Sequence, residues 1–245
     1  PDPALLAGRT DLPPLTTDAV GTDFALADWG GGVLTLRAPD GRYLSVAEDG
    51  FVRASADRPG GWVVQETFRL EPYVSRGPHG TGHLLRHLGT GRHVCVTAGG
   101  VKVADGKDEA GENGEGGEGP AVFRVEVTER GEDAVAHAAA SADVVLVVVG
   151  NDPHINGRET QDRTTLALPD HQRRLLDAAR AANPRTALVI TSSYPYATGT
   201  ADLPAVLWTA HGGQAAGTAL ARVLAGDVSP AGRLPQTWYA SDADL

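Results

Sequence analysis

Residues 150 to 163 read Gly150-Asn151-Asp152-Pro153-His154-Ile155-Asn156-Gly157-Arg158-Glu159-Thr160-Gln161-Asp162-Arg163. Asp152, His154, Arg158, Glu159, Asp162 and Arg163 crowd carboxylates, guanidinium groups and an imidazole into one stretch. Ionisable side chains at this density are the material of acid–base work and of polar recognition. The stretch is also long for a strand-to-helix link, which usually takes about 2–6 residues. An oversized polar loop is where function concentrates.

Other constellations are weaker. Gly212-Gly213-Gln214-Ala215-Ala216-Gly217 follows a strand pattern and opens a helix pattern. It lacks the G-x-G-x-x-G spacing of a dinucleotide loop and reads as close helix packing. Ser192-Ser193 has no G-x-S-x-G elbow, which argues against a serine hydrolase. His154 and His211 are too distant in sequence to make a metal pair, and no Cys/His cluster has metal spacing. Asp162-Arg163 reads as an ion pair that fixes the loop.

The elements around these residues come in two grammars. From residue 129 onward the pattern is α/β. Residues 133–140 are Ala-rich and helical, and 143–149 form an apolar β-branched run expected to be buried on both faces. Residues 170–183 form a helix led by Pro169, with Leu175, Leu176 and Ala179 on one face. Strands are expected at 186–191 and 205–208. A last helix, 213–225, should turn Leu220, Val223 and Leu224 inward and end at Gly226. This order implies βαβ units and a largely parallel sheet, with loops 150–168 and 192–203 at its carboxyl edge.

Residues 22–128 read as short strands between turns, with Pro39-Asp40-Gly41 and Glu48-Asp49-Gly50 as hairpin signals. The pattern repeats: Leu36-Arg37 and Gly41-Arg42-Tyr43-Leu44-Ser45-Val46 recur as Leu85-Arg86 and Gly91-Arg92-His93-Val94-Cys95-Val96. A repeat of roughly 45–55 residues with about four strands suits a three-fold barrel. It resembles the fascin-like branch of the β-trefoil fold. Two copies are complete, and residues 1–21 read as a linker or a degenerate first copy. Gly- and Glu-rich residues 105–119 have little to bury and read as a solvated, mobile loop rather than an acidic binding tail. Trp29, Trp62 and Tyr73 are candidate sugar-stacking groups, with core or barrel-closing roles as the plainer reading.

The chain has 245 residues, 41% apolar, with 21 basic against 31 acidic side chains and a net charge of −10. That suffices for real cores and argues against nucleic acid and anionic membrane, which need clustered positive charge. The longest apolar run, six residues at 144–149, falls short of the roughly 18–20 that span a bilayer. The single cysteine, Cys95, excludes an internal disulfide. The chain begins at Pro1 and holds no methionine, so it reads as a piece of a longer polypeptide, and its localisation stays open.

Two blocks carry a family resemblance. Ala142-Asp143-Val144-Val145-Leu146-Val147-Val148-Val149-Gly150, then Glu159-Thr160-Gln161-Asp162-Arg163 and Leu166-Ala167-Leu168-Pro169, form the first. Trp208, Gly212-Gly213, Ala219-Leu220 and Val223-Leu224-Ala225-Gly226-Asp227-Val228-Ser229-Pro230-Ala231-Gly232-Arg233-Leu234-Pro235 form the second. Over residues 130–240 the chain resembles the C-terminal α/β-sandwich domain of glycoside hydrolase family 3. The resemblance implies a retaining exo-β-glycosidase acting on terminal β-linked glucose or xylose, with a nucleophilic aspartate on a (β/α)8 barrel elsewhere in the same polypeptide. It implies that Glu159 is the acid/base, with Asp152, His154, Arg158 and Asp162 as sugar-contacting candidates. It calls for no metal and no organic cofactor.

The expected architecture is therefore a fascin-like β-trefoil insert at 22–128, followed by an incomplete α/β sandwich with a largely parallel sheet at 129–245. Its partners are a β-linked glycoside or oligosaccharide and the barrel domain. The rival reading is a non-catalytic carbohydrate- or protein-binding module built on the trefoil.

Overall fold

The computed structural model of the chain describes residues 9–17, 21–74, 81–104, 119–157, 163–199 and 202–244. Its contacts divide into two units, Pro1–Thr128 and Glu129–Leu245. Most of the glutamate-rich segment, residues 105–118, lies outside the described residues. No helix among the described residues is long and apolar enough to cross a membrane.

The first unit is built from β1 (Ala25–Asp28), β2 (Leu34–Arg37), β3 (Tyr43–Val46), β4 (Val52–Ala56), β5 (Phe68–Val74), β6 (Thr81–His87), β7 (Arg92–Thr97), β8 (Gly100–Val103) and β9 (Val122–Phe123). The strands hydrogen-bond in the order β4-β3-β2-β5-β6-β7-β8, with β1 added on β2 and β9 on β6. Every pair is antiparallel. Tight turns can join only antiparallel neighbours. Gly41 and Gly91, at matching points of the repeat, hold φ of 89° and 72°, which favours glycine. Leu44, Val46 and Val52 from one copy meet Val94, Val101 and Val103 from the other around Phe68.

Residues 12–15 are knitted between the copies. The Leu15 N–H donates to Val52 O at 2.9 Å, and its carbonyl accepts from Val101 N at 2.7 Å. Arg53 Nε donates to Leu12 O at 2.7 Å, while the same guanidinium pairs with Asp49 at 2.7 Å.

His87 is fully buried, its ring 5.3 Å from Phe68 centre to centre. Nε2 lies 3.0 Å from Gln65 O, while Nδ1 accepts from Thr90 N at 3.2 Å and meets Thr90 Oγ1 at 2.9 Å. That pattern suits a neutral ring protonated on Nε2. Burial, opposed weakly by the Gln65 carbonyl, pulls His87 from 6.5 to about 4. The unfolded chain therefore takes the proton first, so the stabilisation is complete above pH 6.5 and is lost as pH falls towards 4. The loss amounts to about 3 kcal/mol. Buried Glu66, whose carboxyl is pushed up by burial, acts with the opposite sign. Urea midpoints should fall between pH 7 and pH 4, and His87→Gln should flatten that fall; an equally steep fall in the variant would refute it.

The second unit contains α1 (Gly131–Ala140), β10 (Val145–Gly150), α2 (Asp170–Ala182), β11 (Thr186–Thr191), β12 (Val206–Thr209) and α3 (Ala216–Leu224). Its three strands run β10-β11-β12, all parallel. The chain's larger sheet is thus antiparallel, and a largely parallel sheet describes only these three strands. One sheet face, with Val149, Leu188 and Ile190, packs on Leu176 of α2 and on Leu168 and Tyr196. Asn183 donates to the carbonyls of Ala139 and Ala142 at 3.0 and 2.7 Å, fastening the end of α1.

Two expectations about burial fail here. β10 is not buried on both faces: Leu146 and Val148 are 46% and 59% exposed. Among the described residues β10 pairs only with β11, and α2 covers one face. α3 buries none of its residues, and Leu224 is 38% exposed rather than turned inward. The helix nevertheless closes as expected, at Gly226 with φ 83°.

Candidate active site

The carboxyl ends of the parallel strands converge on Asn151. The strand β10 ends at Gly150, whose N–H and C=O are both taken by the Gln172 side chain of α2, at 3.1 and 2.9 Å. Gly150 has φ 146°, and a Cβ there would run into the Thr191 carbonyl of β11. The Asn151 N–H donates to that carbonyl at 3.0 Å. Its side-chain Oδ1 accepts from Ser193 N at 3.0 Å and lies 3.3 Å from His211 Nε2. One buried amide thereby joins the loops that follow all three strands.

The next residues fold into a compact turn around Asp152. Its carbonyl accepts from the N–H groups of Ile155, Asn156 and Gly157 at 3.2, 3.2 and 2.8 Å. Its carboxylate accepts from His154 N at 2.7 Å and Ile155 N at 3.2 Å. This is the local bonding by which aspartate sets a turn. Ile155 anchors the turn inward at 5% exposure. Asp152 thus shapes the loop, and His154 sits on its exposed side with Nδ1 3.7 Å from the Asp152 carboxylate. Arg158, Glu159 and Asp162 lie outside the described residues.

The loop's return begins at Arg163. Its guanidinium stacks 4.0 Å from the Tyr194 ring centre and 5.5 Å from that of Tyr196, and it donates to the Pro195 carbonyl. Tyr194 Oη donates to Asn156 O at 2.8 Å. Burial and the neighbouring Tyr194 raise the Tyr196 phenol, so it stays protonated at neutral pH. Thr165 Oγ1 and Leu166 N both donate to the Asp242 carboxylate at 2.6 Å, which holds that carboxyl below its usual range.

Beyond β12, a cavity of about 320 Å³ is lined by residues that include Thr191, Thr209, His211, Gly212, Gly213 and Ala216. The glycine segment there borders open space as well as helix. Among the described residues no group of three or more His, Cys, Asp or Glu side chains could hold a metal ion. Ser192, dismissed as a nucleophile, is fully buried and structural: Oγ donates to Tyr194 O at 2.7 Å and accepts from Trp208 Nε1 at 3.0 Å. In the first unit, Trp62 is 72% exposed, so it is no core residue, whereas Trp29 donates Nε1–H to Thr35 Oγ1 at 3.0 Å. Sequence reasoning missed Asn151, Gln172 and Tyr194. Only Gln172 left a signal, a polar residue on the face shared by Leu176 and Ala179.

β-D-Xylosidase 1 of Arabidopsis thaliana is 37% identical over 118 residues, covering 46% of this chain and 15% of that protein. β-D-Xylosidase 3 of the same plant is 41% identical over 106 residues, covering 41% of this chain and 14% of its own length. Probable β-glucosidase L of Aspergillus terreus is 38% identical over 129 residues, 48% of this chain and 17% of that protein. The chain therefore spans a small part of the length of the relatives it matches. Among solved structures, β-glucosidase from Kluyveromyces marxianus in complex with glucose aligns with a TM-score of 0.44 and 29% identity, over 53% of this chain and 16% of that one. Residues 27–245 match the glycosyl hydrolase family 3 C-terminal domain, and the chain belongs to that family.

Proposed function

We propose that this chain is the part of a retaining exo-β-glycosidase that supplies the acid/base, Glu159, for hydrolysis of terminal β-linked glucose or xylose. The observation that carries the reading is the pairing of family membership over residues 27–245 with a Glu159-bearing loop fastened on both sides at the sheet's carboxyl edge. The relatives' names, β-xylosidase and β-glucosidase, supply the substrate class.

In the first step an aspartate of a barrel domain in the same polypeptide attacks the anomeric carbon. The bond to the leaving oxygen breaks, and Glu159 gives that oxygen its proton. In the second step Glu159 takes a proton from water, whose oxygen displaces the aspartate. Retention requires the two carboxyl groups about 5–5.5 Å apart. Arg158, Asp162, His154 and Asp152 are proposed around the sugar, Asp152 chiefly through the turn it sets.

The β half is proposed as a fascin-like trefoil inserted in the sandwich domain. The two four-strand copies support this, as does Leu15, which bonds to Val52 of one copy and Val101 of the other. Exposed Trp62 favours a second reading, a sugar-binding module that works without catalysis.

The test compares the full-length protein with its Glu159→Gln variant on β-glucosides and β-xylosides of graded leaving-group acidity. kcat/KM should drop about 100-fold or more for poor leaving groups and be largely spared for activated aryl glycosides, which need no proton. A uniform drop, or none, would overturn the acid role. Sugar binding that survives Glu159→Gln and is lost with Trp62→Ala, without turnover, would favour the binding module.

A further inference from the structure

We propose that the cavity beyond the carboxyl ends of β11 and β12 binds a small uncharged polyol of monosaccharide size, and that His211 couples its occupancy to Asn151. The site is built wholly from described residues of the second unit and stands whichever residue is the acid/base.

In parallel sheets the crevice beyond the strands' carboxyl ends is where ligands settle. Here it measures about 320 Å³, the small end of the range for ligand pockets. Absent side chains make the room. A Cβ at Gly213 or Gly217 would meet nothing within 4 Å. The cavity opens to solvent beside α3, none of whose residues is buried. Its floor is held firmly, because Thr191 and Thr209 end two paired strands. The Thr191 carbonyl accepts from Asn151 N at 3.0 Å, and the Thr209 carbonyl from Ser192 N at 3.1 Å.

The polar side chains of the lining are hydroxyls and one imidazole. No Lys, Arg, Asp or Glu is among the described residues that line it, so nothing there pairs with a charged ligand. Thr209 Oγ1 donates to Ala210 O at 3.1 Å and keeps its lone pairs for an incoming hydroxyl. His211 is more tightly determined. Nε2 lies 3.3 Å from Asn151 Oδ1, and that atom is the amide oxygen because it also accepts from Ser193 N at 3.0 Å. An oxygen partner requires the proton on Nε2, which leaves Nδ1 of the neutral ring as an acceptor. Leu220 adds an apolar wall for ring C–H groups. Hydroxyls that donate and accept, around a C–H face, are what a sugar or cyclic polyol presents.

A hydroxyl donated to Nδ1 polarises the imidazole and strengthens the Nε2–H bond to Asn151. Asn151 in turn holds Ser193 N and the Thr191 carbonyl. Occupancy should therefore tighten the ends of all three parallel strands.

The experiment is peptide-resolved amide exchange on the full-length protein, titrated with D-glucose, D-xylose, sodium phosphate or sodium acetate. A sugar of about ten to twelve heavy atoms should bind with a Kd of about 1–10 mM. At ten times Kd, exchange through openings that destroy the site should slow about tenfold over residues 209–217 and in the peptides holding Asn151 and Ser193. Gly217→Leu puts a side chain into open space and suits a helix better than glycine. It should abolish the slowing. Thr209→Val, which keeps the shape and removes the hydroxyl, should weaken binding about 2–10-fold. A sugar held at the catalytic centre instead would protect the parent and Gly217→Leu alike, and that result overturns the site. So does the absence of slowing at about 100 mM sugar. Slowing by phosphate or acetate and not by either sugar overturns the polyol assignment. Slowing confined to residues 209–217, with the Asn151 and Ser193 peptides unaffected, overturns the coupling.

Discussion

Gly150→Ala should destabilise the second unit by about 3–5 kcal/mol, through backbone strain and overpacking together. At φ 146° an L side chain is rarely tolerated, and the added methyl would meet the Thr191 carbonyl, a backbone atom already committed to the Asn151 N–H. Neither partner can yield cheaply. The peptide of Gly150 is clamped through both its N–H and its C=O by Gln172, while Thr191 belongs to the central strand. Moving the backbone would open the two strand ends at Asn151, the base of the loop that carries Glu159. Urea unfolding followed by peptide-resolved amide exchange over residues 145–191 reads the effect. A loss under about 1 kcal/mol would mean that the strand end adjusts and that the clamp is slack.

Phe68→Ala should destabilise the first unit by a similar amount, about 3–5 kcal/mol. Phe68 is wholly buried at the start of β5, paired in register with Leu34 on one side and His87 on the other. It sits where the two strand repeats meet, so truncation leaves a void that neither copy can close by itself. The ring also covers one side of neutral His87. The cavity should let water reach that imidazole, so the variant's stability should depend less on pH between 7 and 4 than the parent's. Val74→Ala, at a side chain 76% exposed in the same strand, serves as the control and should stay within about 0.5 kcal/mol. Equal losses from the two substitutions would show that Phe68 is not central to the core.

The repeat in the β half was legible because its turns demand a residue type. Gly41, Gly50, Gly91 and Gly100 all hold positive φ, and their spacing marks the hairpins whatever the strands contain. The order of helices and strands after residue 129 was legible from periodicity in the same way. Burial was not. The runs at β10 and β11 are both apolar, yet Val189 is fully buried and Val148 is 59% exposed. What separates them is a central against an outer place in the sheet, which a run of valines does not encode. In the same way α3 has an apolar face in its sequence but buries nothing.

At the candidate site, Glu159 stood out only through resemblance to a family, since its residue type and spacing alone did not separate it from Asp152 or Asp162. Tyr194 gave no signal. Its bond goes to a backbone carbonyl 38 residues away, and backbone carbonyls are the same in every sequence. Asn151 was hidden for a related reason, because its partners Ser193 and His211 reach it only after three strands have aligned.

The unpacked face of β10 has a consequence for handling the chain by itself. Val144, Leu146 and Val148 face solvent, and among the described residues one edge of the strand has no partner. A β-branched segment without charge or proline, displayed on an open edge, is a template for strands of other molecules. The net charge of −10 opposes such encounters by mutual repulsion at low ionic strength. Added salt shortens the reach of that repulsion to about 10 Å near 0.1 M. Colloidal behaviour of the isolated chain is therefore governed by a competition between one six-residue strand and the charge of the whole surface, and salt sets the balance.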